Sequence, residues 1–232
     1  MDGVLEPLAE QSESFLLGAD ETMLVGLTGQ MGAGKTTLAG YLHGCGARIV
    51  DADRLGHEIL ERAAVKHHLE EAFGTNVIGD DGAVDRRALA ELAFADAAGV
   101  SLLNSIVGEP LNEELWNRVK GDRGTCDTTV IVDAALLIEW GMHRRFDVIV
   151  VVTADDEDAL RRLEVSRGFS RSEILPRRQA QGAVEDKLAV ADFVVHNDGD
   201  LKSFEQRAHK LWGELERLRL QQPTNSLDSA IN

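Results

Sequence analysis

The 232-residue chain is long enough to bury one substantial core with a smaller subdomain attached. Its 44% hydrophobic and 28% charged residues suit an ordinary globular protein, but 40 acidic against 24 basic side chains leave a formal charge of −16. That balance excludes a general nucleic-acid coat or an anionic-membrane binder, which need clustered Lys and Arg, yet allows a small polyanion wherever the cations concentrate.

Residues 1–21 are acidic, lack the basic start of a secretory signal, and read as an extension outside the core. Met23 to Thr28 is apolar enough for a buried strand, and Lys35 to His43 reads as a helix. Between them Gly29-Gln30-Met31-Gly32-Ala33-Gly34-Lys35-Thr36 fits G-x-x-x-x-G-K-[ST]. Glycines let backbone N–H groups turn inward around phosphates, and the helix that follows points its positive end at them. Lys35 would reach the β- and γ-phosphates of a nucleotide, and the Thr36 hydroxyl would ligate Mg²⁺.

Ala47 to Val50 reads as a second strand, ending in Asp51-Ala52-Asp53. A carboxylate there sits at the carboxyl edge of an open parallel sheet, where ligands bind. Asp53 could orient an attacking hydroxyl toward a γ-phosphate, or it could cap a helix beginning at Arg54; position alone does not separate the two. Asp53-Arg54-Leu55-Gly56 also fits the D-x-x-G of GTP switches, but the guanine-reading N-K-x-D occurs nowhere in the chain.

From Arg54 to Lys120 the three- and four-residue apolar spacing predicts helices. TTVIVDAALLIE and FDVIVVVTA restore short β-branched runs suited to strands covered on both faces. Asp133 at the end of the first run is a candidate for Mg²⁺ or its waters, although acidic residues after strands are common, and Glu139 is a candidate for a structural hydrogen bond. Asp155 to Arg167 and Ser170 to Gln181 read as two helices hinged at Gly168. Arg161, Arg162, Arg167, Arg171, Arg177, Arg178 and Lys187 gather here in an otherwise acidic protein. As a group they suggest a lid that closes over ATP and excludes water; singly, each could pair with Glu164, Glu173 or Glu185 on a solvated helix. Asp192 to His196 is a last strand and Leu201 to Leu220 a closing helix. Cys45 and Cys126 match no metal spacing and read as free thiols.

Strands alternating with helices imply an α/β, three-layer fold with a parallel sheet. The expected organisation is an extension at 1–21, a nucleotide-binding core at 22–57, 125–159 and 188–221, a helical substrate-binding insertion at 58–124, a lid at 160–187 and a polar tail at 222–232. A P-loop kinase then fits better than a hydrolase or switch.

These segments in this order resemble the dephospho-coenzyme A kinase family. VGLTGQMGAGKTT followed by GARIVDAD is similar to that family's opening, FGTNVIGDDGAVDRRALAELAF to its G-x-(hydrophobic)-x-R-x-x-L segment, and VDAALLIEWG to its D-x-P-L-L-F-E stretch. QAQGAVEDKLAVADFVVHNDGD resembles its Q…K…A-D-x-V-I-x-N-x-G ending. The resemblance implies MgATP-dependent phosphorylation of the ribose 3′-hydroxyl of dephospho-coenzyme A. The charge balance and the lack of a signal or apolar span add the expectation of a cytoplasmic monomer or weak homo-oligomer, with neither nucleic acid nor membrane as partner. The resemblance also implies Asp53, Lys35 and Arg167 as catalytic residues and Gly32, Ala33, Gly34, Lys35, Thr36, Thr37, Asn197 and Gly199 as ATP-binding residues. Asp53, Arg86 and Arg87 would meet the substrate, with Thr36 and Asp133 at Mg²⁺. Two departures stand out: Glu109-Pro110 replaces the family's His-Pro, and Ala135 replaces the proline of P-L-L. They leave open a related small-molecule kinase with a changed acceptor, and a non-catalytic nucleotide-binding regulator is the reading from another class.

Overall fold

The computed structural model describes residues 22–121 and 129–221. In chain order it begins with strand β1 (Met23–Gly29), helix α1 (Lys35–Gly44) and strand β2 (Arg48–Asp51). Four helices follow: α2 (Ala52–Leu60), α3 (Ala63–Phe73), α4 (Arg86–Ala93) and α5 (Ala97–Gly121). The chain then returns to strands β3 (Thr129–Asp133) and β4 (Val148–Thr153). Helices α6 (Asp156–Arg167), α7 (Arg171–Ala180) and α8 (Val184–Leu188) precede strand β5 (Phe193–His196) and helix α9 (Leu201–Gln221).

The five strands form one parallel sheet in the order β2-β3-β1-β4-β5, flanked by helices. Alternation along the strands explains the layering. Met23, Val25 and Leu27 of β1, Val148, Val150 and Val152 of β4, and Phe193 and Val195 of β5 point to one face. There they meet Leu38 and Leu42 of α1 and Phe204, Leu211 and Leu215 of α9. Leu24, Val130, Val132, Ile149 and Val151 are buried too, so both faces are covered and the runs read as continuously apolar. The chain leaves β1 toward one edge of the sheet and leaves β4 toward the other. Connections therefore diverge between these two paired strands, and a ligand crevice belongs at their carboxyl ends.

The described residues divide into two compact units, the sheet with its helices and a helical unit over Asp51–Asp122. That unit starts earlier than the 58 read from sequence, and it takes in α2 with Asp53. Ala52, Leu55 and Ile59 of α2, Val65 and Leu69 of α3, Leu89 and Ala93 of α4, and Leu111, Leu115, Trp116 and Val119 of α5 supply its buried side chains. Pro110 lies inside α5, where it removes one helical N–H. No described helix is long and apolar enough to cross a membrane.

Candidate active site

The phosphate motif runs from the end of β1 into the first turn of α1, as its spacing requires. Gly34, at φ 104°, is the N-cap of α1, no side chain caps that end, and the first turn holds no acidic residue. The amides of the first turn and the helix dipole therefore favour an anion at this end. Two glycines are demanded by both backbone and packing. A Cβ on Gly32 (φ 87°) would lie 2.6 Å from the Ala159 carbonyl oxygen of α6, and one on Gly34 would collide with the Asn197 carboxamide.

The surrounding elements hold this loop through its backbone. Asn197, buried just beyond β5, donates its Nδ2 to the Ala33 carbonyl at 2.9 Å, and its own N–H bonds the Thr153 carbonyl at 2.7 Å. Gln181, after α7, accepts the Met31 N–H at 2.7 Å. Arg178 donates to the Gln30 side chain at 2.6 Å and to Asp156 at 2.5 Å. The Met31 side chain packs against Leu160, Leu163 and Ile174, with Phe169 beside them. Helices α6 and α7 thus rest on the phosphate loop, with Gly168 at φ 65° closing α6 before the turn into α7.

Lys35 forms an ion pair with Asp133, and both side chains are largely withdrawn from water at 12% and 6% exposure. A pair so placed keeps each charge compensated in the absence of ligand, and an arriving phosphate offers the ammonium a second anion. Thr36 and Thr37 are exposed at the start of α1. Thr36 and Asp133 offer hard oxygen donors of the kind Mg²⁺ takes alongside water and phosphate, so the absence of a three-residue acidic or His/Cys cluster among the described residues does not oppose it. A small cleft of about 210 Å³ opens where the topology places one, lined by Gln30, Ala33, Thr153, Asp156, Arg178 and His196 among others.

Beyond Asn197, Gly199 sits at φ 130° in the loop before α9. Arg207 clamps this loop by bonding the His196 carbonyl and Asp198. Burial works to raise the Asp198 pKa, but the hydrogen bonds from Arg207 and from its own backbone N–H, together with the nearby positive charge, outweigh it and the carboxyl ends below its usual range.

The seven cations expected to form a lid separate once their partners are known. Arg161 pairs with Asp158 and Arg171 with Glu157 and Glu164, as solvated helix residues do. Arg177 lies 4.5 Å over the Phe169 ring. Arg162 donates to the Asn197 carbonyl at 2.9 Å, Arg178 reaches the phosphate loop, and Lys187 is fully buried against Glu139. Arg167 ends α6, and its side chain lies outside the described residues, as does Cys126. Glu173 caps its own helix through Ser170.

In the helical unit, the capping role weighed for Asp53 falls to Asp51, whose Oδ1 accepts the Arg54 N–H at 2.8 Å. The helix begins at Ala52, two residues before the expected Arg54, because that carboxylate satisfies its first turn. Asp53 lies exposed in this turn. Arg86 and Arg87 open α4 behind the N-cap Asp85. Arg87 pairs with Glu91 at 3.1 Å. The Lys66 hydrogen bond holds Glu61 below the usual carboxylate range, with smaller help from the Val84 N–H and from the Arg86 charge. Glu109 is exposed on α5.

Sequence reasoning missed Gln30 and Gln181 as structural partners and treated Lys187 as a lid cation. Gln181 and Lys187 both stand within the QAQGAVEDKL stretch used for the family resemblance, so the signal was present without its geometry.

Residues 23–203 match the family model described as dephospho-CoA kinase. A dephospho-CoA kinase of Streptomyces avermitilis is 38% identical over 207 residues, covering 87% of this chain and 98% of the relative. One from Syntrophus aciditrophicus is 36% identical, covering 88% and 89%. A crystal structure of a Thermus thermophilus protein is similar at TM-score 0.72 and 31% identity, over 84% of this chain and 98% of that one. The fold is also that of the Campylobacter jejuni dephospho-CoA kinase, at TM-score 0.62 and 21% identity over 85% and 98%.

Proposed function

Since the chain belongs to the dephospho-CoA kinase family, we propose that it transfers the γ-phosphoryl group of ATP to the ribose 3′-hydroxyl of dephospho-coenzyme A, the last step of coenzyme A synthesis. The observation that carries this reading is the uncapped α1 N-terminus behind a loop whose glycines are fixed by packing, with Lys35 and Asp133 at its edge. Backbone amides from Gly32 to Thr37 and the Lys35 ammonium bind and orient the phosphates. Asn197 holds the loop in shape, and Gly199 leaves room beside the base. Mg²⁺, held by Thr36 and Asp133, would neutralise charge between the β- and γ-phosphates.

Asp53 accepts a hydrogen bond from the 3′-hydroxyl and aims its oxygen at the γ-phosphorus. The new O–P bond forms as the bond to the ADP oxygen breaks, and the hydroxyl proton passes late to the carboxylate. Asp51 already caps α2, which leaves the second aspartate for this work. Arg167, Arg86 and Arg87 supply positive charge to phosphoryl and substrate anions, and α6 and α7 exclude water. The protein works in the cytoplasm as a monomer or weak homo-oligomer.

A coupled assay of ADP release tests the reading. The expected result is release that requires both dephospho-coenzyme A and Mg²⁺. Release with a nucleoside or another nucleotide instead would favour a changed acceptor, with Glu109 the residue to revert to His. ATP binding with no acceptor-dependent release would mean a non-catalytic regulator.

A further inference from the structure

Lys187 is the largest fully buried side chain in the described protein, and nothing in phosphate binding accounts for it. Burying a lysine is expensive unless its charge is paired and its donors find acceptors, and here a carboxylate and a carbonyl take two of the three. Its Nζ donates to Glu139 Oε1 at 2.6 Å and to the Ala135 carbonyl at 3.2 Å. The same carbonyl accepts the Thr28 hydroxyl at 3.3 Å, from the residue just before the phosphate loop. Gly182 lies close against Glu139, leaving about 3.2 Å for any Cβ there. Three chain segments thus meet on one turn: the end of β1, the stretch after β3, and α8.

That turn follows Asp133 directly. The Ala134 N–H bonds the Leu27 carbonyl at 3.0 Å, so strand pairing fixes β3 as far as Asp133, and the Thr28 hydroxyl and the Lys187 ammonium both hold the Ala135 carbonyl just beyond it. Residue 135 is alanine, whose φ is not locked as a proline's would be, so these donors add to the stiffness of the backbone there. We propose that Lys187 is a positioning residue for phosphoryl transfer: with Thr28 it holds Ala135 and Glu139, and so sets the orientation of the Asp133 carboxylate that faces Lys35. The proposal rests on the roles given above to Lys35 and Asp133.

The test compares Lys187→Met with Lys187→Met/Glu139→Gln, which removes the uncompensated acid, and with the near-isosteric Thr28→Val. Asp133→Asn serves as the reference. Readouts are kcat, the Mg²⁺ concentration for half-maximal rate, and calorimetric ATP affinity with and without Mg²⁺. Small misplacements of a reacting group can cost about 100-fold in rate. The double variant should therefore lose about 10- to 100-fold in kcat, need severalfold more Mg²⁺, and bind metal-free ATP as tightly as the wild type. Thr28→Val should move the same way by less. If the double variant or Thr28→Val keeps the wild-type kcat and Mg²⁺ midpoint per folded molecule, Lys187 only supports the fold and the proposal is overturned. If Asp133→Asn itself is fully active, the role of Asp133 fails first.

Discussion

Side chains around the phosphate loop end on backbone atoms of distant segments: Asn197 on Ala33, Gln181 on Met31, Arg162 on Asn197, Lys187 on Ala135. In the helical unit several charged groups end instead on one another near the surface: Arg62 and Arg118 share Glu114, Arg118 also meets Glu58, and Arg87 meets Glu91. The first kind of bond fixes where the chain runs, and losing it leaves a buried polar group unsatisfied. The second kind is screened by water and contributes little. The phosphate loop is set by backbone geometry, whereas the helical unit proposed to take the acceptor carries surface ion pairs that can be exchanged with little effect on the fold.

The largest effect expected from breaking this contrast is Gly34→Ala. The added methyl meets Asn197 at a φ that alanine resists, so ATP affinity and kcat should fall by about 100-fold or more. Stability should drop with them by about 2–4 kcal/mol, measured by denaturant unfolding. At Arg87, more than four-fifths exposed, alanine should change stability by less than about 0.5 kcal/mol. Steady-state kinetics of Arg86→Ala and Arg87→Ala should show a raised KM for dephospho-coenzyme A at unchanged KM for ATP. A stability loss comparable to that of Gly34→Ala would erase the contrast.

The smallest effect concerns pH. Half-buried Asp192, at the start of β5, accepts the Ile149 N–H at 2.7 Å. Burial pushes its carboxyl above the ordinary range, against that hydrogen bond. A raised folded-state pKa means its stabilising contribution is present at acid pH and is lost as pH climbs through that range. Asp192→Asn keeps the acceptor without the charge. Its thermal midpoint should match the wild type near pH 4 and exceed it by about 2 °C at neutral pH. A gap that instead widens toward acid would give the wrong sign.

Much of the nucleotide side was legible because its chemistry is local in sequence. Glycine spacing, a lysine and a following helix must be adjacent to work, and apolar runs with two-residue alternation mark strands wherever they pair. Helix starts were less legible by a residue or two: Asp51 and Asp53 have the same side chain, and only the backbone tells which one caps. The lid arginines resisted reading for another reason. Arg161 and Arg162 are neighbours in sequence, yet one meets Asp158 on its own helix and the other a carbonyl beyond β5, because adjacent helical residues point about 100° apart. Lys187 was the least legible. Its partners, Glu139 and Ala135, lie some fifty residues away, so charge counting placed it with the arginines.

Acceptor-dependent ADP release by Asp53→Asn, measured beside ATP affinity on the same preparation, bears most directly on the reaction assigned to this chain. Loss of the hydroxyl-orienting carboxylate should lower turnover by about 100-fold or more while ATP binds as in the wild type. Turnover at the wild-type rate in Asp53→Asn would contradict the account, because the sugar hydroxyl would then be steered by some other group.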